Sequence, residues 1–272
     1  MAGNGAPLIH PTALVDPRAV LAADVRVGAY ACIEGPVQLA AGCVIEAHAI
    51  LTGDVQIAAD TTVGHGAVVG GKPQDRAFDP ATQSGVRIGA RCIIREHCTI
   101  HRGTAPGSVT VVGDDCFLMA GAHLGHNARV DDHVVLANNV LLAGHVHVGE
   151  RAFAGGGSVF HQFVRVGRLA MMQGNGIFTQ DVPPFVMAAG LNTVHGLNVV
   201  GLRRAGIAAA ERAEIKVAFK LLFASGLNRS QALAAAGWEW GACAAEFLEF
   251  ARTATTRGLS APRSRGVAVT EG

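Results

Sequence analysis

Residues 128–149 have the sequence ARVDDH-VVLANN-VLLAGH-VHVG, in which a pattern of six residues repeats without interruption. Each unit opens with a small or short branched residue and carries a larger aliphatic residue two positions later. The same spacing extends upstream, since eleven consecutive positions at intervals of six, from Ile9 to Val69, are all Ile, Leu or Val. It resumes at Ile88 and continues to Phe178 with one missed step. A six-residue repeat therefore dominates the first two thirds of the chain.

A period of six matches neither an α-helix nor a plain strand, whose side-chain periods are 3.6 and 2. It fits a short extended segment that ends in a tight corner, with one small and one large side chain pointing inward. Three such segments close one coil of 18 residues, and stacked coils pair as parallel strands about 4.8 Å apart. We therefore predict a mainly β protein, a parallel β-helix. An antiparallel sandwich would not hold this phase over ten successive steps.

The repeat also predicts the extent of the β-helix, residues 8–185. The phase breaks over residues 70–87, which are expected to form an insertion loop. Pro183 and Pro184 are expected to end the strand ladder, because proline lacks the N–H that a ladder needs.

Beyond the repeat, residues 197–253 are predicted to form a small C-terminal α-helical domain, because the apolar spacing there becomes helical. Residues 254–272, rich in Gly, Ser, Pro and Arg, are expected to form a loose tail. The helices expected in the domain cover residues 208–224, 231–236 and 238–253.

Composition excludes several classes of function. The formal charge of +1 over 272 residues gives no basic field that would favour nucleic acid as a partner. No apolar run approaches the roughly 20 residues that cross a bilayer, and no secretory signal is recognised, so we expect a cytoplasmic protein without a membrane span. The six cysteines form no C-x-x-C pair, and four of them occupy small inward positions of the repeat, which predicts a packing role.

Chemistry is expected where polar residues cluster on successive coils. The 18-residue step stacks His126, Gly144 and Gln162 on one edge, with His145 and His161 one residue to either side. Imidazoles titrate near neutrality, so this edge is a candidate general-base site. Zinc is a competing interpretation, but the histidine pairs here are three and two residues apart. Hexapeptide zinc enzymes use a pair five apart.

Six motifs occur in order along the chain, namely Ile100-His-Arg-Gly103, Ala122-His-Leu-Gly-His126, Leu136-Ala-Asn-Asn139, Leu142-Ala-Gly-His145, His161-Gln-Phe163 and Gln180-Asp-Val-Pro-Pro184. Together they resemble the UDP-N-acetylglucosamine O-acyltransferases that begin lipid A synthesis. The resemblance covers residues 8–252, roughly the whole repeat and helical region. It implies a left-handed β-helix, a homotrimer with active sites between subunits, and no cofactor. It also implies transfer of an (R)-3-hydroxyacyl chain from acyl carrier protein to the 3-hydroxyl of UDP-N-acetylglucosamine (UDP-GlcNAc).

The resemblance also implies roles for single residues. His126 matches the catalytic base, the Gly144 N–H matches the oxyanion donor, and Asn127 stands where the family has an orienting Asp. Gly174 falls where the family sets acyl length. Candidate substrate-binding residues are Asp75, Arg76, His123, His145, His161, Gln162, Gly174, Asn198 and Arg204. Candidate residues for docking the acidic carrier protein are Arg151, Arg165, Arg168, Arg203 and Arg204.

Two further departures from the family pattern concern the sugar nucleotide. Ala77 replaces an expected lysine, and Ala205 replaces a second basic residue after Arg204. The missing lysine motivates an alternative, a sister acyltransferase that uses a 3-amino sugar nucleotide or another amine. A metal-dependent hydratase and a β-helix without enzymatic activity are the remaining alternatives.

Overall fold

The computed structural model describes residues 6–237 and 239–262, which form 28 short strands followed by four helices. The strands are β1 (Leu8–Ile9), β2 (Leu14–Val15), β3 (Val20–Leu21), β4 (Arg26–Val27), β5 (Cys32–Glu34), β6 (Gln38–Leu39), β7 (Val44–Ile45), β8 (Ile50–Thr52), β9 (Asp54–Ile57), β10 (Thr62–Val63), β11 (Val68–Gly71), β12 (Gly85–Ile88), β13 (Ile93–Ile94), β14 (Thr99–His101), β15 (Val109–Val112), β16 (Phe117–Leu118), β17 (His123–Leu124), β18 (Arg129–Val130), β19 (Val135–Leu136), β20 (Leu141–Leu142), β21 (His147–Val148), β22 (Phe153–Ala154), β23 (Val159–Phe160), β24 (Arg165–Val166), β25 (Met171–Met172), β26 (Ile177–Phe178), β27 (Val186–Ala189) and β28 (Thr193–Leu197). The helices are α1 (Val199–Arg204), α2 (Ala209–Ala224), α3 (Arg229–Ala235) and α4 (Ala242–Arg252).

The strands form the three faces of a prism, because every third strand joins the same sheet. The sheets contain eleven, nine and eight strands, and every pairing between the named strands is parallel except that of β27 with β28. Leu8 pairs with Arg26, which lies 18 residues later, as the repeat predicts. The prediction of a left-handed parallel β-helix with a small helical C-terminal domain is confirmed.

The interior is built from the two inward positions of each repeat. Val134 and Leu136 are typical, since neither exposes any surface, while the residue between them points outward. The cysteines predicted to have a packing role are buried at these positions, namely Cys43, Cys92, Cys98 and Cys116. Thin layers of small and medium side chains thus replace the large aromatics of an ordinary core.

Two loops leave the prism at its corners without disturbing the stacking. Residues 72–84 lie between β11 and β12, inside the predicted interval 70–87, and Thr62 pairs with Ile93 across the enlarged coil. Residues 102–108 form a second loop, between β14 and β15, where the sequence showed only a missed step. Since both loops leave and rejoin at corners, the coils above and below them remain hydrogen-bonded.

The proline pair does not end the ladder, so that prediction was wrong. Strand β27 pairs in parallel with β25, and Met171 lies opposite Met187. Pro183 and Pro184 occupy the corner before β27, where no ladder donor is needed, and the next N–H, of Phe185, donates to the Arg168 carbonyl at 2.9 Å. A proline at a corner is therefore compatible with one more coil.

The C-terminal region also differs from the expectation. Helix α1 and the antiparallel strand β28 lie where no regular element was predicted. Of the expected tail, Leu259 bridges to Asp181 on the last coil and Ala261 bridges to Thr193 of β28. Residues 263–272 lie outside the described residues, as does Trp238 at the start of the third predicted helix. No helix in the described part of the chain has both the length and the apolar character needed to span a membrane.

The buried carboxylate of Asp181 holds this returning segment. It accepts hydrogen bonds from the backbone N–H groups of Arg165 at 2.9 Å and Thr255 at 2.8 Å, and from the Arg165 guanidinium at 3.1 Å. That guanidinium also donates to the Thr253 carbonyl at 2.8 Å and lies over the ring of Phe250. One ion pair thus joins the last coil, helix α4 and the C-terminal segment.

We expect Asp181→Ala to lower the free energy of unfolding by about 3 kcal/mol, because it leaves a half-buried guanidinium unpaired. The measurement is chemical denaturation, with proteolysis of residues 255–262 as a second readout. Glu249→Ala is the matched control. It removes the exposed pair between Glu249 and Arg252, which is worth less than about 1 kcal/mol. Equal losses in the two variants would contradict the role assigned to Asp181.

Candidate functional site

A groove of about 350 Å³ opens on the nine-stranded sheet, where β14, β17, β20 and β23 stack. Three histidines from two consecutive coils line it, and a larger concavity of about 580 Å³ on the eight-stranded sheet has no histidine among its lining residues. The groove is therefore the better candidate for acid–base chemistry. Its lining residues are Gln74, His101, His123, Gly125, His126, Leu141, Ala143, Gly144, Val159, Phe160 and Gln162.

His126 sits at the corner that follows β17, and its ring lies against Gly144 of the next coil. A Cβ at position 144 would come within 2.5 Å of the ring atoms Cε1 and Nε2. Any side chain there would displace the imidazole, so glycine is required at this position. On the other side of the ring, Nδ1 lies 3.1 Å from Oδ1 of Asn127.

Gly144 contributes its backbone to the groove beside the Nε2 edge of His126. Its N–H has no hydrogen-bond acceptor within the described residues, whereas its carbonyl accepts from the N–H of Phe163 at 3.2 Å. A free N–H at the wall of a groove is the kind of donor that stabilises an oxyanion.

His145 and Phe163 form an aromatic wall next to His126. The rings of His126 and His145 meet edge to face at 5.2 Å, and His145 stacks on Phe163 at 4.7 Å. Burial, and then the neighbouring His126, lower the pKa of His145, so its neutral form is favoured. Phe163 was quoted in a sequence motif but was not selected as a site residue.

His101 and His123 form the end of the groove near the insertion loops. Their rings meet edge to face at 5.0 Å, and Nδ1 of His123 lies 2.7 Å from the Thr99 hydroxyl. Burial lowers the pKa of His123, and burial together with the neighbouring imidazoles lowers the pKa of His101 to about 4. Both rings are therefore neutral at physiological pH, and Nδ1 of His101 is a buried polar atom without a hydrogen-bond partner in the described chain.

Two of the candidate site residues, His161 and Gly174, lie on the last coils and are exposed. His161 is exposed, and its Nδ1 lies 3.3 Å from the carbonyl of its neighbour Gln162, which lines the groove. Gly174 is an exposed corner residue between β25 and β26, and a Cβ there would come within 2.9 Å of the Gly156 carbonyl. Neither His161 nor Gly174 is among the described residues that line the groove.

The candidate nucleotide-binding residues are spread over other elements. Asp75 and Arg76 are exposed on the first loop, and the Asp75 carboxylate accepts from the N–H of Ala77 at 2.9 Å. The residue of this loop that lines the groove is instead Gln74, which directly precedes Asp75 and was not selected as a site residue. His101 was missed in the same way, although it lies in a quoted motif.

Asn198 and Arg204 lie at the two ends of helix α1. The Asn198 side chain caps the helix by accepting from the Gly201 N–H at 2.9 Å, and it donates to the Leu169 carbonyl at 2.9 Å. Arg204 is exposed in the last turn. Within the described part of one chain, neither residue reaches the histidine groove.

Comparison with known proteins identifies the family. Residues 181–260 match the family model "Udp N-acetylglucosamine O-acyltransferase; Domain 2", and residues 110–144 match the model of bacterial transferase hexapeptide repeats. A curated relative from Cupriavidus pinatubonensis is 53% identical over 92% of this chain and 98% of its own. A relative from Ralstonia nicotianae is 50% identical over 83% of this chain and 85% of its own. Both are named acyl-[acyl-carrier-protein]--UDP-N-acetylglucosamine O-acyltransferase.

The chain belongs to the UDP-N-acetylglucosamine O-acyltransferase family. Solved structures agree with this assignment over the whole fold. The UDP-N-acetylglucosamine acyltransferase from Campylobacter jejuni has a TM-score of 0.85 at 33% identity, covering 94% of this chain and all of its own. The enzyme from Francisella novicida has a TM-score of 0.89 at 29% identity, covering 94% and 95% of the two chains. The resemblance inferred from the six motifs is confirmed.

Metal ligation was the competing interpretation of the histidine cluster. In the described parts of the chain, no group of three or more His, Cys, Asp or Glu side chains is arranged to hold a metal ion. That this protein needs no cofactor for its reaction stays a prediction.

His101 should make the free energy of unfolding of the chain depend on pH. Its pKa is lowered to about 4 in the folded chain, below the ordinary value near 6.5, so the unfolded chain binds more protons between these values. The free energy of unfolding should therefore fall as pH drops from 6.5 towards 4, by up to about 1.4 kcal/mol per pH unit. We expect His101→Gln to reduce this slope, as measured by denaturation at a series of pH values. An unchanged slope in the variant would contradict the assignment.

Proposed function

We propose that this protein transfers an acyl chain, of the (R)-3-hydroxy type, from acyl carrier protein to the 3-hydroxyl of UDP-GlcNAc. The observation that carries the proposal is the placement of His126 against the backbone of Gly144, in a groove of a chain that belongs to this family. The names of the curated relatives support a hydroxyl acceptor and give no support to the amine alternative.

In the proposed reaction, Nε2 of His126 takes the proton of the sugar hydroxyl while that oxygen attacks the thioester carbonyl. The Gly144 N–H stabilises the oxyanion of the tetrahedral intermediate, a contribution typically worth 10²- to 10³-fold in rate. Collapse of the intermediate forms the ester C–O bond and breaks the C–S bond. The leaving thiolate of the carrier then receives the proton from the imidazolium, so His126 returns to its starting state.

The remaining candidate residues are assigned to substrate binding. His123, His145 and Gln162 would form the walls around the reacting groups, with His161 and Gly174 along the acyl chain. Asp75, Arg76, Asn198 and Arg204 would contact the nucleotide. None of these four is among the described residues that line the groove, which supports a site completed by a neighbouring subunit.

The outward side chains of the prism support a homotrimer. On the eight-stranded sheet they are mostly polar, as at Gln56 and Arg129. On the eleven-stranded sheet they are mostly apolar and only partly covered by the chain itself. The nine-stranded sheet likewise exposes apolar side chains, as at Ile50, Leu141 and Ile177. Contiguous apolar patches of this kind mark interfaces, and apolar faces on two sides of a prism suit a closed ring of three. The outward residues of the eleven-stranded sheet include Val44, Ile93, Phe117, Val135, Phe153, Met171 and Met187.

Some of the arginines proposed to dock acyl carrier protein already form ion pairs within the chain, which leaves fewer candidates. Arg165 and Arg168 are paired with Asp181 and Glu246 and hold the helical domain in place. Arg151 is paired with its neighbour Glu150, and Arg204 is already assigned to the nucleotide. Arg203 is exposed at the end of helix α1, so we assign the acidic carrier to Arg203. Use of this donor also supports a cytoplasmic location.

Sedimentation tests the trimer. We expect the parent chain to sediment at three times the mass of one chain, and Met171→Glu to shift it to smaller species, because a carboxylate in a dry interface is costly. Gln56→Glu on the polar sheet is the matched control and should remain trimeric. A monomeric parent, or a trimer unaffected by Met171→Glu, would rule out the assigned interface.

The function is tested by mass spectrometry of products from UDP-GlcNAc and its 3-amino analogue, each with a series of C10–C16 acyl carrier proteins. We expect the 3-O-acyl product, and a loss of about 10²- to 10⁴-fold in kcat for His126→Ala because the general base is removed. Gly144→Ala should also lose activity, since the added Cβ displaces the imidazole. His48→Ala, at an exposed corner away from the groove, is the control. The proposal would be contradicted if no acyl chain length gave an O-acylated product.

A further inference from the structure

Three contacts converge on one atom, the side-chain oxygen of Asn127. Oδ1 lies 3.1 Å from Nδ1 of His126, 3.1 Å from the backbone N–H of Thr104, and 3.0 Å from the Thr104 hydroxyl. Thr104 belongs to the second loop, residues 102–108, and lies 23 residues before Asn127 in sequence. A loop that the repeat does not predict thus reaches the catalytic corner.

The amide of Asn127 has two ends of similar shape and opposite hydrogen-bonding character. If its oxygen faces His126, Nδ1 of the imidazole carries the proton and Nε2 keeps its lone pair. If its NH₂ group faces His126, Nδ1 must accept, and the neutral ring then carries its proton on Nε2. Only the first arrangement leaves a base at the Nε2 edge, which faces Gly144.

The Thr104 backbone N–H decides between the two arrangements, because a backbone N–H can only donate. It must meet the amide oxygen, and the Thr104 hydroxyl adds a second donor to the same atom. We infer that Thr104 is a positioning residue that, through Asn127, fixes the tautomer of His126 in which Nε2 is the base. The inference rests on the proposed function only in taking Nε2 as the reacting atom.

The loop is anchored firmly enough for this role. The Ser84 hydroxyl donates to the Gly103 carbonyl at 2.6 Å, and the N–H of Gly107 donates to the Gln83 carbonyl at 2.8 Å. Both partners end the first loop, so the two loops are joined to each other. The backbone of Asn127 is held separately, since its N–H donates to the buried Thr110 hydroxyl at 2.8 Å.

The contact from Thr104 is needed because residue 127 is an asparagine. A carboxylate, as the family pattern has at this position, offers an acceptor in either orientation and would set the same tautomer without help. An amide sets it only if its orientation is fixed. The substitution at 127 and the contact from Thr104 are therefore parts of one arrangement.

The first test measures the tautomer directly, by ¹⁵N NMR of histidine-labelled protein at alkaline pH, in the parent, Thr104→Pro and Thr104→Val. We expect His126 of the parent to carry its proton on Nδ1. Thr104→Pro, which removes the backbone N–H, should increase the Nε2–H form and lower kcat about fivefold with KM unchanged. Thr104→Val, which removes the hydroxyl and keeps the backbone N–H, should keep the parent tautomer. An unchanged tautomer in Thr104→Pro would overturn the inference.

The second test repeats Thr104→Pro in an Asn127→Asp background. The fivefold loss should disappear there, because a carboxylate has no wrong orientation, whereas damage to the loop itself would persist in both backgrounds. Persistence of the loss would also overturn the inference. The NMR readout does not require acyl transfer, so a tautomer that responds to Thr104 in a protein without O-acylation would refute the proposed function alone.

Discussion

The rest of the structure depends on the hydrogen bonds between successive coils, because these bonds place each residue directly over its counterpart one coil earlier. The pairing of Leu8 with Arg26 and of Val159 with Ile177 shows the same step of 18 residues near both ends of the ladder. Core composition follows from this constraint, since every layer must accept the side chains of the next. The site follows from it as well, because corner residues from consecutive coils are brought within contact distance whatever their chemistry.

The same constraint explains why additions to the repeat occur only at corners. The loops at 72–84 and 102–108 lengthen two coils, yet His123 still stacks on Thr99 in register. A corner already turns the chain away from the ladder, so extra residues there cost little beyond loop closure. The two loops supply groups that the regular prism lacks, Gln74 in the groove and the Thr104 donors beside Asn127.

Sequence alone predicted the prism and the stacking of His126 with Gly144, because both depend on spacing along the chain. It did not predict the contact of Thr104 with Asn127, since nothing in a periodic pattern reports where an irregular loop folds back. The proline pair was misjudged because its effect depends on whether it falls in a strand or at a corner. Asn198 illustrates a further limit, as its side chain is engaged in capping helix α1, a helix that the apolar spacing did not reveal.

The returning C-terminal segment has a consequence for how copies of this chain can associate. The last coil would otherwise present a row of free N–H and C=O groups, on which a second molecule could continue the stack. Strand β28, which pairs with β27, and Leu259, which bridges to Asp181, occupy that row. Ala261 bridges in turn to β28, and the Asp181 carboxylate secures the segment through the N–H of Thr255. Head-to-tail growth into filaments is thereby blocked at this end, and neighbours are left to meet along the flanks, where finite assemblies close.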